Sequence, residues 1–140
     1  MKVVSMYLLI VMATATIGCG NNDASEKKVT PENSFAEISF RSESAELGQI
    51  PFKQHANHDF VFSNTGNSPL TIKEVRGNCH CVQGKWPDQP INPGDSAIIN
   101  VSFDPEELTG NFIRTLTVRS NAKRDSVELK ISGEILAKNK

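Results

Sequence analysis

Residues 54–64 read QHANHDFVFSN and alternate along their length: Ala56, His58, Phe60 and Phe62 fall on one side, Asn57, Asp59, Val61 and Ser63 on the other. A period of two sends successive side chains to opposite faces of an extended chain, so this stretch is predicted to be a strand with one face in a core. Thr65-Gly66-Asn67-Ser68-Pro69 follows it, a run of residues that favour turns, and closes the strand.

The same pattern extends in both directions. Residues 36–41 (AEISFR) and 45–50 (AELGQI) are predicted opening strands, and residues 70–75 (LTIKEV) resume after the turn with Leu70 and Ile72 on one face. Beyond a second turn at Ile91-Asn92-Pro93-Gly94-Asp95, residues 96–104 (SAIINVSFD) place Ala97, Ile99, Val101 and Phe103 together. Residues 112–120 (FIRTLTVRS) show period two from Leu116 onward. Residues 121–125 turn the chain, and Val127, Leu129 and Ile131 then alternate with Glu128, Lys130 and Ser132. Residues 105–110 (PEELTG) have room for one helical turn and no more. Short alternating runs, polar turns and no amphipathic helix predict an all-β protein, an antiparallel β-sandwich of about seven strands.

The N-terminus has a different character. Met1-Lys2 is a short positive start, and residues 3–17 are apolar except for Ser5, Thr14 and Thr16. Fifteen mostly apolar residues are too few to cross roughly 30 Å of hydrocarbon as a helix. A charged start, a short apolar stretch and small residues at its end mark a signal peptide. Thr16-Ile17-Gly18-Cys19 resembles the lipobox of bacterial lipoproteins, in which the cysteine is acylated and becomes the first mature residue. Thr16 stands where that family usually has Leu. Residues 20–33 (GNNDASEKKVTPEN) are almost wholly small, polar or charged, a composition that suits a flexible tether. The expected organisation is a signal peptide over residues 1–18, a tether over 19–35 beginning at lipidated Cys19, and one sandwich domain over 36–140. Gly20 after the cysteine favours the outer membrane by the rule known for enterobacterial lipoproteins. The expected location is therefore the cell envelope, lipid-anchored to a membrane.

A formal net charge of −1 with no extended basic cluster excludes a nucleic-acid footprint. No Ser/His/Asp order, glycine-rich phosphate loop or paired-carboxylate motif stands out, so neither catalysis nor a cofactor is expected. With Cys19 assigned to the anchor, Cys79 and Cys81 are the cysteines left for other chemistry, in a compartment where disulfides persist.

Cys79-His80-Cys81 is the one cluster with chemical potential, and three readings of it stand. Two thiolates and an imidazole suit a soft or borderline metal ion, with His55 or His58 completing the set. Alternatively the two cysteines form a disulfide: in an extended strand their Cα atoms would lie roughly 6.5–7 Å apart, and a tight turn after Gly77-Asn78 would bring them into range. Such a small ring would be easily reduced. The third reading is structural, with the cysteines packed at a strand end as small hydrophobes. Trp86, in the sequence Gly84-Lys85-Trp86-Pro87-Asp88, is expected in an irregular loop. It either covers the sandwich end or serves as an exposed anchor for a partner.

Several pieces in this order resemble one bacterial family, the domain of unknown function numbered 1573, grouped with immunoglobulin-like domains of the Hydin and major-sperm-protein type. They include Phe60-Val61-Phe62-Ser63-Asn64-Thr65-Gly66, Pro69-Leu70-Thr71-Ile72, Cys79-His80-Cys81, Ile91-Asn92-Pro93-Gly94-Asp95, Val101-Ser102-Phe103-Asp104-Pro105, Gly110-Asn111-Phe112, Val118-Arg119-Ser120-Asn121 and Ile131-Ser132-Gly133. The family typically has Ser-Cys-Gly-Cys-Thr where this chain has Asn78-Cys79-His80-Cys81-Val82. The resemblance implies an immunoglobulin-like antiparallel β-sandwich and no settled activity. The leading expectation is a membrane-anchored, non-enzymatic lipoprotein whose domain binds an envelope protein or a polysaccharide. The alternative is a thiol-redox or metal-handling lipoprotein using Cys79, His80 and Cys81.

Overall fold

The described residues form eight strands: β1 (Ile38–Phe40), β2 (Ser44–Ile50), β3 (Ala56–Asn64), β4 (Ile72–Gly77), β5 (Val82–Lys85), β6 (Ser96–Phe103), β7 (Gly110–Ser120) and β8 (Ser126–Ile135). The computed structural model describes residues 33–138. Cys19, the expected signal peptide and most of the expected tether therefore lie outside the described residues. Among the described residues there is no helix.

The strands form two four-stranded sheets, ordered β1-β3-β6-β5 and β2-β8-β7-β4. The alternating stretch at residues 54–64 becomes β3, which pairs antiparallel with β6 from Ala56 opposite Phe103 to Ser63 opposite Ser96. Its Phe60 and Phe62 are fully buried, as are Ile99, Val101 and Phe103 of β6. They face Leu116 and Val118 of β7 and Leu129 and Ile131 of β8, equally buried, across the space between the sheets. Each such side chain contributes about 1.5–3 kcal/mol by leaving water.

The all-β sandwich is as expected, and two details of its strands differ. The sheets are not purely antiparallel, because β2 runs parallel to β8, with Ala45 opposite Ile131 and a register shift between Glu46 and Gln49. Gly48, at φ 68°, sits inside that shift. Side-chain alternation reports which face is buried and carries no information about a neighbour's direction. The eighth strand, β5, was not expected, and its last two residues, Gly84 and Lys85, begin the segment expected to be an irregular loop. It contributes one large buried side chain, Val82, and Gly84 has none to contribute. Its strand character comes from its ladder with β6, Val82 opposite Phe103 through Lys85 opposite Asn100.

Two smaller differences follow from local hydrogen bonding. The strand expected from Leu70 begins at Ile72, while Leu70 and Ile91 exchange backbone hydrogen bonds of 2.9 and 2.8 Å as an isolated bridge. Within the expected helical turn, residues 105–108 form a tight turn closed by Leu108 N–H donating to the Pro105 carbonyl, with Glu106 in the left-handed region. Phe35, the last residue of the expected tether, is tied to the domain: its N–H donates to Asn67 Oδ1 at 2.8 Å.

Candidate functional site

β4 and β5 are the end strands of opposite sheets, and the chain crosses from one sheet to the other through Asn78–Cys81. The crossing is narrow because two glycines let the strands close in. A Cβ on Gly77 would run into the Val82 carbonyl oxygen, and one on Gly84 would lie 2.5 Å from Val75 Cγ1. The turn is held at both ends. Asn78 N–H donates to the Thr115 carbonyl at 3.0 Å, and Asp104 N–H donates to the Cys81 carbonyl at 2.8 Å.

Within this turn the Cα atoms of Cys79 and Cys81 stand 5.2 Å apart, and their sulfurs are joined as a disulfide. The separation is shorter than an extended strand allows, because the chain folds back so that Val82 N–H approaches the Cys79 carbonyl. Of the three readings of the cluster, the disulfide is the one this geometry adopts. In this form neither sulfur is a thiolate ligand. No group of three His, Cys, Asp or Glu side chains among the described residues is gathered as a metal site requires.

The two sulfurs have different surroundings. Cys79 and His80 line a groove of about 540 Å³ on the flank between β4 and β5, shared with Arg76 and Gln83. Cys81 lines a smaller hollow of about 240 Å³ with His55, His80 and Asp104. Both cysteines are half-buried against the core, and His80 is exposed. Arg114 Nε donates to Cys81 Sγ at 3.3 Å, and its Nη1 donates to the Ile113 carbonyl at 2.8 Å.

Arg114 was not singled out from the sequence, although its signal is present there. β7 points Phe112, Leu116, Val118 and Ser120 inward, all buried, and Arg114 falls on that same alternating face. A cation in a core-facing stripe needs a polar reason, and the reason here is a sulfur.

The remaining candidates are placed as follows. Exposed His55 has its Nδ1 3.8 Å from Asp104 Oδ2 and shares the hollow with Cys81. Half-buried His58 is elsewhere, edge-on to Phe60 with ring centroids 4.7 Å apart. Trp86 follows β5 and packs half-buried against the core.

Two sheets of four strands, packed face to face with one disulfide-closed crossing, define an immunoglobulin-like β-sandwich. The model of the family described as "Protein of unknown function (DUF1573)" matches residues 38–135, and the chain belongs to that family. In fold it is similar to a protein of unknown function from Porphyromonas gingivalis W83, with TM-score 0.64 and 14% identity over 78% of this chain and 51% of that one. It is also similar to PapD-like domain 7 of human CEP192, with TM-score 0.57 and 10% identity over 79% of this chain and 94% of that one. A third similarity is to the secreted serine protease VesC from Vibrio cholerae, with TM-score 0.56 and 15% identity over 74% of this chain and 24% of that one. The chain thus spans about half of the Porphyromonas protein and about a quarter of VesC. A comparison with curated proteins finds no match.

Proposed function

We propose that this chain is a membrane-anchored, non-enzymatic lipoprotein of the cell envelope, held by acyl groups on Cys19, whose sandwich binds an extended segment of another envelope protein. The observation that carries the reading is the flank between β4 and β5. Each of these strands has one hydrogen-bonded neighbour, β7 and β6 respectively, so their other edges border the same groove. Unpaired strand edges offer a row of N–H and C=O groups that an extended peptide can match. A polysaccharide would call for exposed aromatic platforms, and the single Trp of the chain is packed against the core. The disulfide supports thiol exchange over metal handling as the second reading of the Cys79-His80-Cys81 segment.

Photocrosslinkers placed at Gln83 and Arg76 on the flank, and at Glu128 on the outer face of β8, test the site in intact envelopes. Protein adducts are expected from the first two positions and not from Glu128, and mass spectrometry of the mature chain should find acylated Cys19 at its start. Glycan adducts, equal adducts at all three positions, or an unmodified Cys19 would count against the proposal.

A further inference from the structure

The Cys79–Cys81 disulfide, the groove beside Cys79 and the guanidinium on Cys81 form one arrangement, which partner binding at the flank does not require. The geometry points to a thiol–disulfide exchange site of fixed polarity: a dithiol attacks at Cys79, and Cys81 leaves toward Arg114. This inference rests on the second reading of the cysteine segment and not on partner docking.

Exchange proceeds by a thiolate attacking one sulfur of a disulfide while the other departs as a thiolate, and the better-stabilised sulfur departs faster. The two sulfurs here are unequal on both counts. Cys79 lines the larger hollow, about 540 Å³ against about 240 Å³, on a flank that also carries Arg76, a cation that draws an incoming thiolate. Cys81 has Arg114 Nε at 3.3 Å, already donating to its sulfur. A cation in contact favours the thiolate over the thiol. The second bond of Arg114, to the Ile113 carbonyl, fixes the guanidinium there independently of the sulfur's oxidation state.

The balance is as follows. One thiolate of the dithiol bonds to Cys79 Sγ, the Cys79–Cys81 bond breaks, and its electron pair goes to Cys81 Sγ beside Arg114. The second thiolate of the same dithiol then attacks its own partner sulfur, closing a disulfide in the substrate and releasing Cys79 as a thiolate that takes a proton from water. The dithiol loses two electrons and the domain's disulfide gains them. Arg114 acts on the leaving sulfur, and the backbone ties of Asn78 and Cys81 to the sheets hold the turn while the bond is open.

The test uses the purified, oxidised full chain, with glutathione as probe thiol and dithiothreitol as probe dithiol. Acid-quenched glutathione reactions should carry the adduct on Cys79, located by peptide mass spectrometry. Arg114→Gln should slow reduction by dithiothreitol by a factor of about three to ten, with Arg114→Lys recovering part of the rate. In reduced Cys79→Ala protein, the pH profile of Cys81 alkylation should move upward when Arg114 is also changed to Gln, a shift that a purely structural role would not produce. Circular dichroism shows whether each variant is folded, and Arg114→Lys carries the comparison if Arg114→Gln is not. Adducts on Cys81 or equally on both sulfurs would overturn the assignment. So would an Arg114 variant that is folded and has an unchanged reduction rate and alkylation profile. Crosslinking at Gln83 reads a different event, so either proposal can fail while the other stands.

Discussion

Asn64 Nδ2 donates to the Ile91 carbonyl at 2.9 Å within the sandwich, joining the end of β3 to the segment that leads into β6. The same nitrogen donates to the Ser68 carbonyl at 2.8 Å, while Oδ1 accepts from Gly66 N–H at 3.0 Å and from Glu37 N–H at 3.4 Å. The side chain is fully buried and every donor and acceptor it owns is used. Asn64→Leu keeps the branched shape, strands the Ser68 carbonyl and the Gly66 and Glu37 N–H groups, and leaves the Ile91 carbonyl with Leu70 N–H alone, so a loss of about 3 kcal/mol or more is expected. Denaturant unfolding followed by Trp86 fluorescence measures it, and a loss under about 1 kcal/mol would show that these groups find other partners.

Gly77 decides how closely β4 and β5 approach. An added methyl meets backbone, the Val82 carbonyl, which cannot swing aside as a side-chain tip would. Gly77→Ala is therefore expected to cost about 1–3 kcal/mol and to loosen the turn that follows. The same unfolding measurement gives the energy, and faster alkylation of Cys79 and Cys81 after mild reduction reports the loosening. A neutral substitution would mean that the flank opens easily.

The disulfide closes a very short loop, with a sequence separation of 2. Restricting so small a ring removes little freedom from the unfolded chain, so Cys79→Ala/Cys81→Ala is expected to cost only about 1.5 kcal/mol. The unfolding midpoint of the double variant against the oxidised parent checks this. A loss several times larger would make the bridge chiefly a structural staple.

Lys53 Nζ donates to Glu107 Oε1 at 2.9 Å, and that hydrogen bond, aided by the lysine charge, holds the Glu107 carboxyl below its ordinary value. A carboxyl depressed in the folded state adds stability above its unfolded value, and that contribution is lost as pH falls through the folded one. Both side chains are largely exposed, at 55% and 82%, so salt screens the pair and its weight in folding is small. Lys53→Ala is expected to raise the Glu107 midpoint in a carboxyl NMR titration with the melting temperature unchanged. An unmoved midpoint would mean that the pair does not form in solution.

Much of the sandwich was legible because burial on one face imposes period two, and β3, β6 and β8 display it cleanly: Phe60 and Phe62, Ile99 and Val101, Leu129 and Ile131 all alternate and all are buried. β5 escaped notice because a strand whose inward positions are Val82 and Gly84 leaves almost no hydrophobic trace. The parallel pairing of β2 with β8 escaped for a different reason: strand direction is set by the path of the chain between the sheets, which no local pattern records. The cysteine segment was visible as a cluster, but its disulfide depended on a turn whose tightness comes from Gly77 packing against Val82 and from backbone bonds to Thr115 and Asp104.

The sequence by itself determined the all-β class, the faces of the principal strands and the prominence of Cys79-His80-Cys81, since composition and alternation act locally along the chain. Only the tertiary structure decided that the two sulfurs are joined, that Cys79 lines the flank groove and that Arg114 stands against Cys81. Arg114 and Cys81 are 33 residues apart in sequence, and they meet because β7 and the crossing from β4 to β5 pack together at one end of the sandwich. Contacts of that kind arise from how sheets stack, a property of the assembled core and not of any one strand.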